Sequence, residues 1–192
     1  NGTMSIVEIY DRVLSSEEIS DLYQQDTFSE IDASKSLIWC PCKTQYNDGS
    51  QKTSNIGGIG EDLIVSGASV ADGGFEYDGT DDYIRLDNTG IDNIWATGGS
   101  LSCLIKPYSD GEGNFAKIFD KANAVGWTLQ VQDESAGKVN LKLSVKFDGG
   151  AGGDWTTSTR WLNLNQWNSV VVVYNGSNTT NNPIFYINGV KH

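Results

Sequence analysis

Val7-Glu8-Ile9-Tyr10-Asp11-Arg12-Val13-Leu14-Ser15-Ser16-Glu17-Glu18-Ile19 carries a β-forming run directly into the start of a helix. The run opens at Ser5, and Ser5 to Tyr10 is rich in β-branched and aromatic residues, although the Ile6-Val7 pair breaks strict alternation. Ser15 followed by Glu18 is a capping box. The serine hydroxyl can accept from the third helical N–H while the glutamate reaches back to the serine amide. Leu14, Ile19, Leu22 and Tyr23 then fall at spacings that give this short helix one apolar face. Nothing else in the chain reads as helix, and residues 26–35 are polar and aperiodic, as a linker would be.

From Ser36 onward short apolar or aromatic runs alternate with Gly, Asn, Asp and Ser clusters, which predicts strands and turns. The predicted strands are 37–42, 63–66, 74–77, 83–86, 100–105, 116–119, 127–132, 139–147, 155–158, 169–174 and 184–187. Many short strands with almost no helix predict an all-β fold, a two-sheet antiparallel jelly-roll sandwich with one short N-terminal helix. Ile184-Phe185-Tyr186-Ile187 runs into Asn188-Gly189, the strongest short signal for a tight hairpin, yet only Val190, Lys191 and His192 follow. The sequence therefore announces a returning strand that it does not contain, so either the chain is truncated or the partner strand comes from elsewhere. The only Met stands at position 4, and the chain reads as an excised or processed piece.

A length of 192 residues suits one domain with a sizeable core. The net charge of −12, with 13 scattered Lys and Arg residues, offers no basic patch and makes nucleic acid and anionic membrane surfaces poor candidates for partners. The longest apolar runs, around residues 170–174 and 63–65, are too short to insert in a bilayer. Cys40, Cys42 and Cys103 make an odd count, and the lone histidine is His192, so zinc ligation is not expected. Buried free thiols are the default reading, with one bridge from Cys103 as the alternative. The same shortage of histidine leaves no Ser-His-Asp or Cys-His arrangement.

The strand and helix of residues 7–19 resemble the closing signature of laminin G-like and concanavalin A-like jelly-roll domains. Phe75-Glu76-Tyr77-Asp78-Gly79-Thr80-Asp81-Asp82-Tyr83-Ile84 resembles an early element of the same family. Ser100 to Pro107, Trp167 to Val170 and Phe185 to Gly189 look like its middle strands, in the family's order. The ends depart from that order, because the closing motif stands ahead of the opening strand. Residues 1–25 thus read as the closing strand and helix of such a domain, either the tail of a preceding repeat or a permuted end. Residues 36–192 read as a sandwich lacking its final strands. Pairing of strand 5–10 beside strand 37–42 would complete the sandwich.

The resemblance implies a binding scaffold, and the residues supply candidates for what binds. Glu30-Ile31-Asp32 begins the carboxylate pattern of the family's β-glucanases, but Ser34 and Lys35 stand where a further carboxylate belongs, so the chain is expected to be noncatalytic. Asp78, Asp81 and Asp82 crowd one turn and are the candidate ligands of a Ca²⁺ ion, with Asp48, Asp120 and Asn123 in neighbouring loops. The plainer reading is that Asp78-Gly79 simply makes the turn. Trp155 and Trp161 flank a Thr- and Ser-rich stretch after the glycine-rich loop 149–153. With Tyr46 and Tyr108 they are candidate sugar-stacking residues, the alternative being edge packing. Trp39 and Trp167, within apolar strands, are expected in the core.

The expected function is noncatalytic recognition of a carbohydrate or glycoprotein by a module of a larger extracellular, cell-surface or virus-particle protein. The alternative is a structural domain that contacts neighbouring copies of its parent protein.

Overall fold

A computed structural model describes residues 1–24, 35–42, 44–71, 73–121, 126–147, 152–178 and 180–192. In chain order the elements are β1 (Gly2–Tyr10), α1 (Ser16–Gln24), β2 (Ile38–Cys40), β3 (Tyr46–Asn47), β4 (Gln51–Thr53), β5 (Leu63–Ser66), β6 (Ser69–Ala71), β7 (Gly74–Tyr77) and β8 (Tyr83–Arg85). They continue with β9 (Gly99–Pro107), β10 (Ala116–Lys121), β11 (Trp127–Ser135), β12 (Lys138–Lys146), β13 (Gly152–Thr156), β14 (Leu162–Asn163), β15 (Asn168–Tyr174), β16 (Ile184–Ile187) and β17 (Val190–Lys191).

One sheet runs β17-β16-β15-β9-β1-β7-β6, with β2 also paired to β1. The opposing layer is divided: β10-β11-β12-β13, with β14 on β12, forms one sheet, and β3-β4-β5-β8 forms another. All ladders are antiparallel. Alternation aims Val7, Ile9, Leu101, Cys103, Val170 and Val172 of the first sheet at Leu129, Val139, Leu141, Leu143, Leu63 and Val65 of the second layer, in one continuous core. These are the jelly-roll sandwich layers expected from the sequence.

The N-terminal strand lies inside this sheet. β1 pairs with β9 from Gly2↔Pro107 to Tyr10↔Ser100 on one side, and on the other with β2 (Val7↔Cys40, Ile9↔Ile38) and β7 (Gly2↔Tyr77, Met4↔Phe75). The expected contact between residues 5–10 and the strand at 38–40 is present. The break in alternation at Ile6-Val7 is a β-bulge. The register slips between Ser5 and Val7, and Ile6, at φ 50°, takes the left-handed conformation that β-branched residues rarely adopt. The bulge lets Ile6 and Val7 both be buried.

The capping box forms as expected. Glu18 N–H donates to Ser15 Oγ at 3.2 Å and Ser15 N–H donates to Glu18 Oε2 at 2.9 Å. Arg12 adds a two-pronged ion pair to Glu18, and together they hold its carboxyl at about 2, well below the usual carboxylate range. Ser100 ties the connection down by accepting from Leu14 N–H and donating to the Arg12 carbonyl. α1 then lies on the outer face of the first sheet, where Leu14 and Ile19 join Tyr10, Val171 and Val173 in a second apolar cluster. Tyr23 departs from the expected apolar face: it is half exposed, its ring against Gly189.

Other expectations are corrected. Trp39 and Trp167 are half-buried and outside the core. In β2, Ile38 and Cys40 take the inward positions and alternation turns Trp39 to the outer face. The core tryptophans are Trp95 and Trp127, edge to face at 5.9 Å. The returning strand after Asn188-Gly189 exists as β17, two residues long, and both turn residues have positive φ as a type I′ hairpin requires. The short polar strands β3 and β4 carried no hydrophobic signal, and β14, of two residues, was too short to read although its Leu162 is buried in the core. No described helix is long and apolar enough to cross a membrane.

Among the described residues Glu8 is the buried side chain that carries a carboxyl, and it lies on the same outer face of the sheet as Trp39. It is buried, faces Trp39 and Ser102 across the ladders, bonds to Ser102 and Tyr10, and keeps Oε1 unpartnered. Burial pushes its carboxyl up to about 7, outweighing those two hydrogen bonds. A raised carboxyl pKa means the folded chain holds a proton that the unfolded chain releases. Its stability contribution is full below about pH 4.5 and lost as pH rises through 7. Thermal unfolding followed from pH 5 to 8 should show a loss of about 3 kcal/mol in the wild type and a much flatter profile in Glu8→Gln.

Candidate ligand-binding site

The divided layer leaves a seam. β8 pairs only with β5 and β10 only with β11, so among the described residues each presents an open edge to the other. Between them lies a cleft of about 660 Å³, floored by Met4 of β1, Ile105 of β9, and Ile118 and Val131 of the second layer. A smaller hollow of about 180 Å³ continues along the same seam beneath Ile84 and Phe119. The residues of β8 and β10 that line both spaces stand more than thirty positions apart in the chain and are brought together only by the sandwich.

The rim combines two exposed aromatic rings with polar groups. Tyr83 is 47% exposed and Phe115 57% exposed, and both line the cleft. Strand alternation accounts for Tyr83: Ile84 takes the inward position in β8, leaving Tyr83 and Arg85 outward. Thr80, Asp82, Lys117 and Asp120 add hydroxyl, carboxylate and ammonium groups. Lys117 pairs with Asp120, and Asp120 also accepts from Thr128 at 3.2 Å. Neither Tyr83 nor Phe115 was singled out from the sequence, because exposure of an aromatic in a β-rich chain depends on which face its strand presents.

Asp82 joins the cleft to the acidic turn. Carboxylate oxygens of Asp78, Asp81 and Asp82 lie within 4.8 Å of one another. Part of this carboxylate set builds the turn itself: Asp78 Oδ1 accepts from Thr80 N–H at 2.7 Å, and Asp82 Oδ2 accepts from Asp78 N–H at 2.6 Å. The other Asp82 oxygen packs against Gly67, where φ is +73° and a Cβ would sit 1.9 Å away, so glycine is required there. Asp81 makes neither of these turn-building bonds. Asp48 is paired with Lys52 at 3.0 Å, and Asn123 lies outside the described residues.

The four aromatic candidates named from the sequence occupy other places. Trp155, on β13, packs 5.8 Å from the core ring of Tyr174, covers Gly153 and donates Nε1–H to Asn182 at 2.9 Å. Trp161 is 40% exposed, but His192 stacks on it at 4.2 Å. Tyr46 donates to Asp62, which pushes its phenol up to about 12. Tyr108 shares a 3.0 Å hydrogen bond with Thr3, with Lys106 over its ring at 5.8 Å. None of the four lines either space along the seam. Glu30, Asp32 and Ser34 of the truncated glucanase pattern, and loop residues 149–151, lie outside the described residues.

The chain is thus a two-layer antiparallel sandwich with a groove between the strand edges of its divided layer. A laminin G-type family model, described as the concanavalin A-like lectin/glucanases superfamily, matches residues 78–192, and the chain belongs to that superfamily. The match begins at Asp78 in the acidic turn and spans β8 to β17, so it holds both edges of the cleft while the floor strand β1 lies outside it. No curated protein and no solved structure matches the chain.

The packing of Trp155 separates it from a freely exposed binding ring. Trp155→Ala should lower the unfolding free energy by about 3 kcal/mol, because a ring against Tyr174 is lost and a void remains. Chemical denaturation of both proteins measures this.

Proposed function

We propose that the domain is a noncatalytic carbohydrate- or glycoprotein-recognition module, set in an extracellular or surface protein, and that the sugar lies in the cleft between β8 and β10. The single observation behind this reading is the pairing of exposed Tyr83 and Phe115 with Thr80, Asp82, Arg85 and Lys117 around one groove. Sugars present C–H faces that pack on aromatic rings and hydroxyls that exchange hydrogen bonds with carboxylates and cationic side chains. Membership of a lectin and glucanase superfamily supports carbohydrate binding in general.

A calcium ion fits the same proposal. Three carboxylates within 4.8 Å repel one another, and a hard divalent cation with oxygen ligands relieves that repulsion. Asp78, Asp81 and Asp82 would hold it, next to the cleft that Asp82 lines. Bound there, the ion would supply positive charge for sugar hydroxyls or carboxylates.

A second reading rests on a separate observation: the open edges of β8 and β10 face one gap over an apolar floor, as an acceptor of an extended strand would. This is the interaction-domain reading, with a neighbouring protein chain as the partner.

A glycan array with millimolar calcium and with chelator tests both. Sugar binding that falls at least tenfold in Tyr83→Ala and Phe115→Ala, but not in Trp161→Ala, is the expected outcome. Calcium should also raise the melting temperature of the wild type and not of Asp81→Asn. Silence on the array together with concentration-dependent self-association would favour the strand acceptor.

A further inference from the structure

The core holds three cysteines, and two of them face each other. Cys40 and Cys42 are both fully buried, and their sulfurs stand 3.3 Å apart across Pro41. The approach is made by the backbone. β2 ends at Cys40, and Cys42 adopts φ 49°, the left-handed region that favours glycine, so the chain reverses and both side chains fall on the same side. Strand alternation would also have aimed them alike, but without folding one sulfur onto the other. Cys103, on β9, lies across β1 from Cys40, since both sit opposite Val7.

We propose that Cys40 and Cys42 are a redox-active pair that closes a disulfide across Pro41, leaving Cys103 as the one remaining thiol. Closing the bond requires the sulfurs to move about 1.3 Å nearer, within reach of small side-chain rotations when two cysteines already stand this close.

The thiols are unequal in a way that orders the steps. The Cys42 thiol donates to Cys40, which favours the Cys40 thiolate, while that bond and burial push Cys42 up. With glutathione disulfide as the oxidant, the Cys40 thiolate attacks one glutathione sulfur, breaks its S–S bond and expels one glutathione thiolate. Cys42 then loses its proton, attacks the Cys40 sulfur of the mixed disulfide and expels the second glutathione. The two protein thiols are oxidised and one glutathione disulfide is reduced to two thiols.

β2 is the three-residue strand that presents Cys40, with β1 as its one ladder partner, and its release gives the oxidant access. The ring closed is too small to restrict the unfolded chain much, so the bond fixes a local reversal, at the point where the chain leaves the first sheet for β3 and β4, rather than raising global stability. This inference is independent of the sugar-binding reading.

The test is oxidation of the full chain by a glutathione disulfide buffer, once under refolding conditions and once in denaturant, followed by denaturing alkylation and tryptic mass mapping. Under refolding conditions the peptide of residues 36–43 should be unalkylated and lighter by the two hydrogens lost, and the peptide of residues 86–117 should carry one alkyl group on Cys103. The oxidised 36–43 peptide should be at least tenfold more abundant than in denaturant. Cys103→Ser should leave the pair intact, whereas Cys40→Ser should leave Cys42 and Cys103 alkylated. Two alkyl groups on 36–43, a bridge to Cys103, or equal oxidation in denaturant would overturn the proposal.

Discussion

The ladder between β1 and β9 is the interaction on which the remaining architecture rests. It joins the first ten residues of the chain to residues 100–107 along nearly its whole length, and β1 then serves as the template for β2 and β7 on its other edge. Removing β1 would leave β9 with an open edge in the middle of the sheet and would separate β6-β7 and β2 from β9, β15 and β16. The bulge at Ile6 reconciles two demands on this strand. It holds the ladder while adding one residue to the core, and it accepts a strained backbone at one position for the burial of both Ile6 and Val7.

From that strand the rest follows in order. Its C-terminal end delivers the chain to α1, whose capping box and Arg12 ion pair set the helix on the outer face above β15. Its N-terminal end supplies Met4 to the floor of the cleft and Gly2, which lies so close to Lys106 that a Cβ would strike a carbonyl at 2.8 Å. The same strand carries the buried Glu8, so the part of the chain that joins the halves of the sheet loses stability as pH rises through about 7.

Local features of this molecule were legible in its sequence, and of the non-local ones the pairing of β1 beside β2 was legible through the family resemblance while the cleft was not. Ser15 and Glu18 announced a helix start because a capping box is complete within four residues. The strands at 63–66, 74–77 and 184–187 were bounded correctly by their turn residues. The slip at Ile6-Val7 was visible as broken alternation. Trp39 was misread because an aromatic between two buried neighbours looks like core until the pairing with Glu8 fixes which face it takes. The acidic turn was legible as three aspartates in five positions, but the cleft beside it was not, since it depends on β8 and β10 meeting across the sandwich. Tyr83 and Phe115 drew no notice for that reason, whereas Trp155, which did, spends its ring on Tyr174.

The most direct test of this account is removal of residues 1–24, which deletes β1 and α1 while leaving the region matched by the superfamily untouched. Cooperative unfolding of the truncated chain should be lost, with near-ultraviolet circular dichroism collapsing as Trp95, Trp127 and Tyr174 lose their fixed packing. A truncated chain that unfolds cooperatively with the stability of the intact one would contradict the central place given to β1.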